Sequence, residues 1–281
     1  MSDFRNILRK IRRCFIHDIY VNVQLVEPLQ VLAGKTVVIT GGSSGIGYAI
    51  AEKCLCGGAK VIITGSNIKK LEGACDKLRN GNTAEGYIYK CLWDIADVAI
   101  CWNKIEEIVQ MADGIIDCWV NNAGIYKAVD YADCQEEDWD KIFSTNAKGL
   151  YFATNRIIQY FLDNDRAGNI VNISSQAGKT ASTTPYAFTK NIIEQYTQGL
   201  AYELSNKHIR INAVAPGSVA TEINGCKPDE VMNYSTIGGR LLRPEEVAEV
   251  VFFLLSDLSK CINGEIITLN EGNTLRVEYS R

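Results

Sequence analysis

From Lys35 onward, short apolar runs alternate with longer stretches of helical period. The β-branched run Thr36–Thr40 ends in glycine and predicts a strand, and Gly47–Cys56 predicts the helix after it. The same pair of signals recurs: strand Val61–Thr64 with helix Lys69–Leu78, then Tyr87–Leu92 with Val98–Met111. Ile115–Val120 precedes a long helical stretch from Glu136 to Leu162, and Ile170–Ser174 precedes a helix over Pro185–Leu204, with proline in its first turn. Strand Ile209–Val214, helix Pro244–Leu255 and strand Glu265–Leu269 complete the series. Alternation of this kind predicts an α/β fold, a doubly wound parallel sheet with helices on both faces. No repeat or linker interrupts it, so residues 35–281 read as one domain.

Residues 1–34 stand apart. Phe4, Ile7, Leu8, Ile11, Phe15 and Ile19 recur at helical steps, with basic residues between Arg5 and Arg13. They predict a partly helical N-terminal extension that packs on the domain or on a neighbouring subunit. Contact of residues 1–20 with a membrane surface is the competing reading.

Composition narrows the function. A chain of 281 residues, 47% hydrophobic and 22% charged, can bury a full core. The net charge of −4 argues against nucleic acid as a partner. Ten cysteines without a C-x-x-C pair, and two distant histidines, give no metal-ligand spacing, so no metal site is expected. The cysteines read as buried thiols in a reducing cytoplasm. No run approaches the roughly 20 apolar residues of a membrane span, and basic residues interrupt any secretory leader.

Four segments carry candidate chemistry. Thr40-Gly41-Gly42-Ser43-Ser44-Gly45-Ile46-Gly47 lies where the first strand meets the first helix, the place for a pyrophosphate at a helix N-terminus. Gly41 suits the tight turn, Gly45 a close approach to phosphate, and Gly47 close helix–strand packing. Without a G-K-[ST] ending the loop is not a P-loop. The second strand ends Thr64-Gly65-Ser66-Asn67 with no carboxylate to repel a 2′-phosphate. Ser66 and Asn67 can donate to one and Lys69 and Lys70 follow, so NADP(H) is favoured over NAD(H). Asp94 is placed to accept from an adenine amino group, or to cap a helix. Asn121-Asn122-Ala123-Gly124 follows the fourth strand on the same side.

Tyr186 and Lys190 are four apart on one helix and share a face. A free tyrosine is a poor acid–base group at neutral pH, and a nearby ammonium lowers its pKa. Ser175, at the end of the fifth strand, can hold a substrate oxygen, or cap the strand end. Asn146, in mid-helix, needs a reason: a proton-relay water, or a local kink.

As a set these motifs resemble the short-chain dehydrogenase/reductase family, over roughly residues 35–272. The resemblance implies a Rossmann-like three-layer sandwich and hydride transfer between a nicotinamide and a small carbonyl or secondary-alcohol substrate. It implies Tyr186 as general acid/base, Lys190 as its activator and ribose ligand, Ser175 as carbonyl anchor and Asn146 as anchor of a relay water. Pro216-Gly217, Val219 and Thr221 resemble the family's nicotinamide and pyrophosphate contacts. The stretch Arg240–Asp257 resembles a helix of the oligomer scaffold, and a homotetramer or homodimer is implied. The nearest whole-chain likeness is to 3-oxoacyl-carrier-protein reductases. Polar residues on one side (Gln176, Lys179, Thr180, Ser182, Thr183, Thr184) and on the other (Glu222, Asn224, Lys227, Asp229) suit a sugar or polyol as the alternative substrate. A catalytically idle cofactor sensor or scaffold is the alternative of another class; a methyltransferase would leave Tyr186 and Lys190 without a task. The chain departs from the family in a slightly short Ser175–Tyr186 loop and in Asn270-Glu271-Gly272 at the end of the last strand.

Overall fold

The computed structural model describes residues 30–81, 87–129, 131–222 and 236–275. The predicted N-terminal helix lies outside them, as do Asn224, Lys227 and Asp229. Seven parallel strands form one sheet in the order β3-β2-β1-β4-β5-β6-β7. They are β1 (Thr36–Ile39), β2 (Lys60–Gly65), β3 (Ile88–Leu92), β4 (Cys118–Asn121), β5 (Gly168–Ile173), β6 (Ile209–Pro216) and β7 (Ile266–Leu269). The helices are α1 (Gly45–Cys56), α2 (Ile68–Gly81), α3 (Cys101–Met111), α4 (Glu136–Phe143), α5 (Leu150–Asp163), α6 (Pro185–Glu203) and α7 (Pro244–Leu255). This is the expected doubly wound α/β sandwich.

Alternating side chains feed two cores. Val37 and Ile39 point into a layer built with α1, α2 and α7, while Val38 points the other way, into α3, α5 and α6. Because both faces are covered, the central strands β1, β4 and β5 are buried at every position. Edge strand β3 instead exposes Tyr89 and Leu92. Leu32, on the extension side of the expected boundary, is fully buried in the first core, and its N–H donates to Gly57 O.

Most boundaries shift by one to three residues from the sequence reading, and three of the differences have a clear cause. Helix α1 begins two residues early, at Gly45, because the glycine loop feeds directly into it. Strand β4 is shorter than Ile115–Val120, since Ile115 sits in a turn. The long helix from Glu136 is not continuous: Ser144–Gly149 forms a π-helical turn between α4 and α5. There Gly149 packs against Ile95, where a Cβ would collide with the Ile95 carbonyl.

A chain of buried amides ties the layers together. Trp119 Nε1 donates to Asn121 Oδ1 (2.8 Å), and Asn121 Nδ2 donates to Asn172 Oδ1 and to Thr154 Oγ1 on α5 (both 2.8 Å). Asn172 Nδ2 donates in turn to Thr197 Oγ1 on α6 (2.9 Å). Every member that could be orphaned in the dry interior has a partner.

The cysteine reading needs correction. Cys54, Cys75, Cys91, Cys101 and Cys118 are buried, but Cys56 and Cys261 are exposed, and Cys134 is partly so. Cys56 ends α1, where apolar neighbours in sequence do not make an apolar neighbourhood in space, and Cys261 lies in the turn after α7 between Lys260 and Ile262. None of the eight described cysteines forms a disulfide, and no group of three or more His, Cys, Asp or Glu among the described residues could hold a metal.

Candidate active site

Strand order reverses between β1 and β4, and the crevice above that switch point is where ligands bind in open α/β sheets. A cleft of about 470 Å³ opens there. Its walls bring together Gly41, Ser43, Ser44, Gly45 and Ile46 of the glycine loop, Ser66, Asp94, and Asn122–Gly124. Ser175, Tyr186, Lys190, Pro216, Gly217, Val219 and Thr221 also line it. Gly47, Asn67 and Asn146 are not on the wall, and each has a different task behind it.

The glycine loop is held open by its neighbours. Gly41 has φ of +66° and Gly45 of +53°, a region favourable to glycine. A Cβ on Gly41 would come within 2.8 Å of Ala123 Cα. Gly47 lies under the loop rather than against a strand: a Cβ there would collide with Gly41 O and Asn122 Nδ2. Asn122 Nδ2 donates to Thr40 O (3.0 Å) and Gly41 O (2.9 Å), binding the two loops to each other. Thr40 completes the clasp, its hydroxyl accepting from Asn122 N and Ala123 N at 3.0 and 3.1 Å. Thr40 opens the glycine loop in sequence with no task assigned to its hydroxyl; the available signal is a hydroxyl at the strand end, directly before the glycines.

At the end of β2, Asn67 Oδ1 accepts from Lys70 N (3.1 Å), so Asn67 caps the start of α2. Ser66 and Lys70 line the cleft, and Lys70 Nζ lies 3.7 Å from Glu222 on the opposite lip. Asp94 lies on the cleft wall, and its Oδ1 accepts from Ala96 N (3.0 Å) within a turn; the cap of the next helical turn is Asp97, whose side chain accepts from Ala99 N.

Helix α6 carries Tyr186 and Lys190. It starts with Thr184 as N-cap, accepting from Ala187 N (3.3 Å), and Pro185 in the first turn. Lys190 is only 5% exposed, and its ammonium donates to Ile173 O (2.9 Å) at the end of β5. The ammonium lies 5.6 Å from the centre of the Tyr186 ring. Burial pushes the Lys190 pKa down from 10.5 to about 8.

The expected lowering of the Tyr186 pKa by Lys190 is not what this structure holds. Burial raises the phenol, with a smaller push from Tyr126, and the opposing pull comes from a hydrogen bond with Ser175. The physical reason is that burial disfavours charge on both groups, while the lysine spends its contact on a carbonyl. Ser175 Oγ accepts from Ala177 N (3.2 Å), which uses a lone pair and leaves the hydroxyl proton to donate. Tyr126, unforeseen in the sequence, stands edge-on to Tyr186 with ring centres 5.0 Å apart and lines the cleft.

Asn146 sits in the π-helical turn and is buried. Its Oδ1 accepts from Ile125 N (2.8 Å), and its Nδ2 donates to Ile125 O (2.9 Å) and to Thr189 Oγ1 (3.4 Å). It therefore clasps the loop after β4 to α6, and a kinked helix accounts for its place there.

The cleft fits a dinucleotide: an open glycine loop at a helix N-terminus, at the switch point, with no side chain filling the cradle. Comparison with known proteins agrees. The family model described as Enoyl-(Acyl carrier protein) reductase matches residues 41–274. The chain belongs to the short-chain dehydrogenase/reductase family and is an NAD(P)-dependent oxidoreductase acting on carbonyl or alcohol groups. It is 36% identical over 249 residues to a 3-oxoacyl-[acyl-carrier-protein] reductase of Aquifex aeolicus, covering 86% of this chain and 98% of that one. It is 30% identical over 252 residues to gluconate 5-dehydrogenase of Gluconobacter oxydans, covering 87% and 96%. Among solved structures, a variant actinorhodin polyketide ketoreductase with NADPH aligns with TM-score 0.77 and 26% identity, over 85% and 96% of the two chains.

Proposed function

We propose that the protein is an NADPH-dependent reductase of 3-oxoacyl thioesters, with Tyr186 as the proton donor. One observation carries the reading: Ser175, Tyr186 and Lys190 converge on one wall of a cleft whose other wall is the glycine loop. The nicotinamide, when bound, supplies the hydride. Tyr186 gives its proton to the carbonyl oxygen as that oxygen gains charge. The Ser175 hydroxyl proton, left free by the bond to Ala177, stabilises the same oxygen. Lys190 holds a positive charge beside the phenol ring and returns the proton. Asn146 keeps the Ile125 loop and α6 at fixed spacing, and its remaining Oδ1 lone pair anchors the relay water.

Preference for NADPH rests on Ser66 and Lys70 at the cleft and on the absence of a carboxylate after β2. The thioester follows from the oxoacyl-reductase relatives. A sugar or polyol is the second reading, favoured by the exposed hydroxyls of Thr180, Ser182 and Thr183 beside the site and by the gluconate-dehydrogenase relative. Acetoacetyl thioesters, sugars and polyols should be compared as substrates by NADPH fluorescence. Turnover only of a sugar or polyol overturns the thioester reading. Tyr186→Phe should cut turnover by a factor on the order of 10²–10⁴, and near-normal turnover of that variant would refute Tyr186 as the proton donor; cofactor binding without turnover of any of these substrates would favour the idle sensor instead.

We also propose a homo-oligomer. Trp139, Tyr151, Phe152, Phe188 and Ile192 expose apolar surface on α4, α5 and α6. Such a patch on one face fits a second copy better than solvent; a monomer by light scattering would refute it. A cytoplasmic location is part of the same proposal, supported by eight described cysteines none of which forms a disulfide; no helix among the described residues is long and apolar enough to cross a membrane.

A further inference from the structure

Glu194 is a buried carboxyl, 7% exposed, with no part in the chemistry above. It lies one turn beyond Lys190 on α6. Its Oε1 is 3.0 Å from Ser174 Oγ, and the same Ser174 Oγ is 3.1 Å from Lys190 O. A serine hydroxyl has a single proton, yet both of these neighbours accept when Glu194 is ionised. Both contacts become hydrogen bonds only if Glu194 carries a proton, gives it to Ser174 Oγ, and Ser174 gives its own to Lys190 O.

Ser174 is also the residue between Ile173, whose carbonyl takes the Lys190 ammonium, and Ser175. The end of β5 thus grips Lys190 at both its ammonium and its carbonyl. Resting on the proposed roles of Ser175 and Lys190, we propose that Glu194 is a positioning residue that works protonated, fixing through Ser174 the spacing between Ser175 and Lys190. Burial raises the Glu194 pKa, with smaller opposing pulls from the Ser174 bond and from Lys179. Lys179, from the turn before α6, is the charge that faces Glu194, and its own Nζ is committed to Ile266 O (3.1 Å). The charge on β6, which also packs on α6, is Arg210, bound to carbonyls of Leu254, Ser256, Ser259 and Ile262. As pH rises and Glu194 ionises, Ser174 turns its proton to the carboxylate, and the tie to Lys190 O is released.

The test uses Glu194→Gln, Glu194→Ala and Ser174→Ala in the full chain, with Tyr186→Phe as the control for the underlying mechanism. Glutamine donates to Ser174 at any pH. Glu194→Gln should keep kcat within about twofold of wild type at low pH and lose the decline that accompanies Glu194 ionisation. Glu194→Ala and Ser174→Ala should each lower kcat about tenfold, and the double variant no further. The infrared spectrum at low pH should contain a protonated-carboxyl carbonyl band that Glu194→Gln removes. Superimposable pH profiles of wild type and Glu194→Gln overturn the proposal, as does equal damage from Gln and Ala or absence of that band. If the alanine variants do not fold, the glutamine profile and the band still decide. Failure here with Tyr186→Phe inactive leaves the reductase reading standing.

Discussion

Replacing Lys190 by methionine should inactivate the enzyme and stabilise its fold. The ammonium is buried, and burial takes its pKa from 10.5 to about 8. At 1.36 kcal/mol for each pH unit of displacement, holding the charge there costs the folded state about 3 kcal/mol. Methionine has similar length and no charge, but it forfeits the bond to Ile173 O, worth about 1 kcal/mol. The net gain at pH 7 is about 2 kcal/mol, or about 4–8 °C in melting temperature for a domain of this size. The gain has a pH signature. Below pH 8 the lysine is charged in both states and the cost is complete. Between about 8 and 10.5 the unfolded chain binds more protons than the folded one, so wild-type stability rises with pH and the advantage of methionine fades. Thermal melts of both proteins without cofactor, at pH 7 and pH 10, measure this. A variant no more stable at pH 7, or an advantage unchanged at pH 10, refutes the reasoning.

Three other outcomes follow from the geometry. Gly47→Ala puts a methyl into the Gly41 carbonyl and Asn122; it should cost about 1–3 kcal/mol and abolish NADPH binding in a fluorescence titration, and an unaltered titration contradicts the role of Gly47 beneath the loop. Lys70→Ala should lower kcat/KM for NADPH about tenfold, the value of one charged hydrogen bond, and leave NADH nearly unchanged; equal losses for both would remove Lys70 from cofactor choice. Asn146→Ala leaves both polar groups of Ile125 without their partner and should cost about 3 kcal/mol in urea unfolding, so a loss below about 1 kcal/mol shows the clasp to be slack.

What could be read from the chain was what depends on neighbours in sequence. The glycine loop, the strand–helix alternation and the shared face of Tyr186 and Lys190 all follow from local spacing. Burial does not. The pattern around Lys190 suggested an ammonium tuning a phenol, but the packing of α6 against β5 determines where that ammonium donates and how much burial costs both groups. The π-helical turn was legible only as the local kink that Asn146 suggests; Ser144–Gly149 keeps helical periodicity on both sides, and the close contact of Gly149 with Ile95 is visible only in space. The tasks of Thr40, Tyr126 and Glu194 could not be read for the same reason: each acquires its task from a residue more than fifteen positions away or from a ring that only folding brings near. Cys56 shows the converse, set among apolar residues in sequence and open to solvent in space.

The amide chain through the core has an effect that reaches the chemistry. Strands of valine and isoleucine are interchangeable under a slide of two residues; strands pinned through Asn121 and Asn172 are not. Thr197 extends the pin to α6, about two helical turns from Lys190, so this helix is indexed against the sheet as a key is against its wards. A residue with no access to solvent or substrate thereby sets the height at which the phenol stands over the cleft. Variants of Asn172 that fold should turn over slowly while binding cofactor normally, behaving as machines assembled one notch out of line.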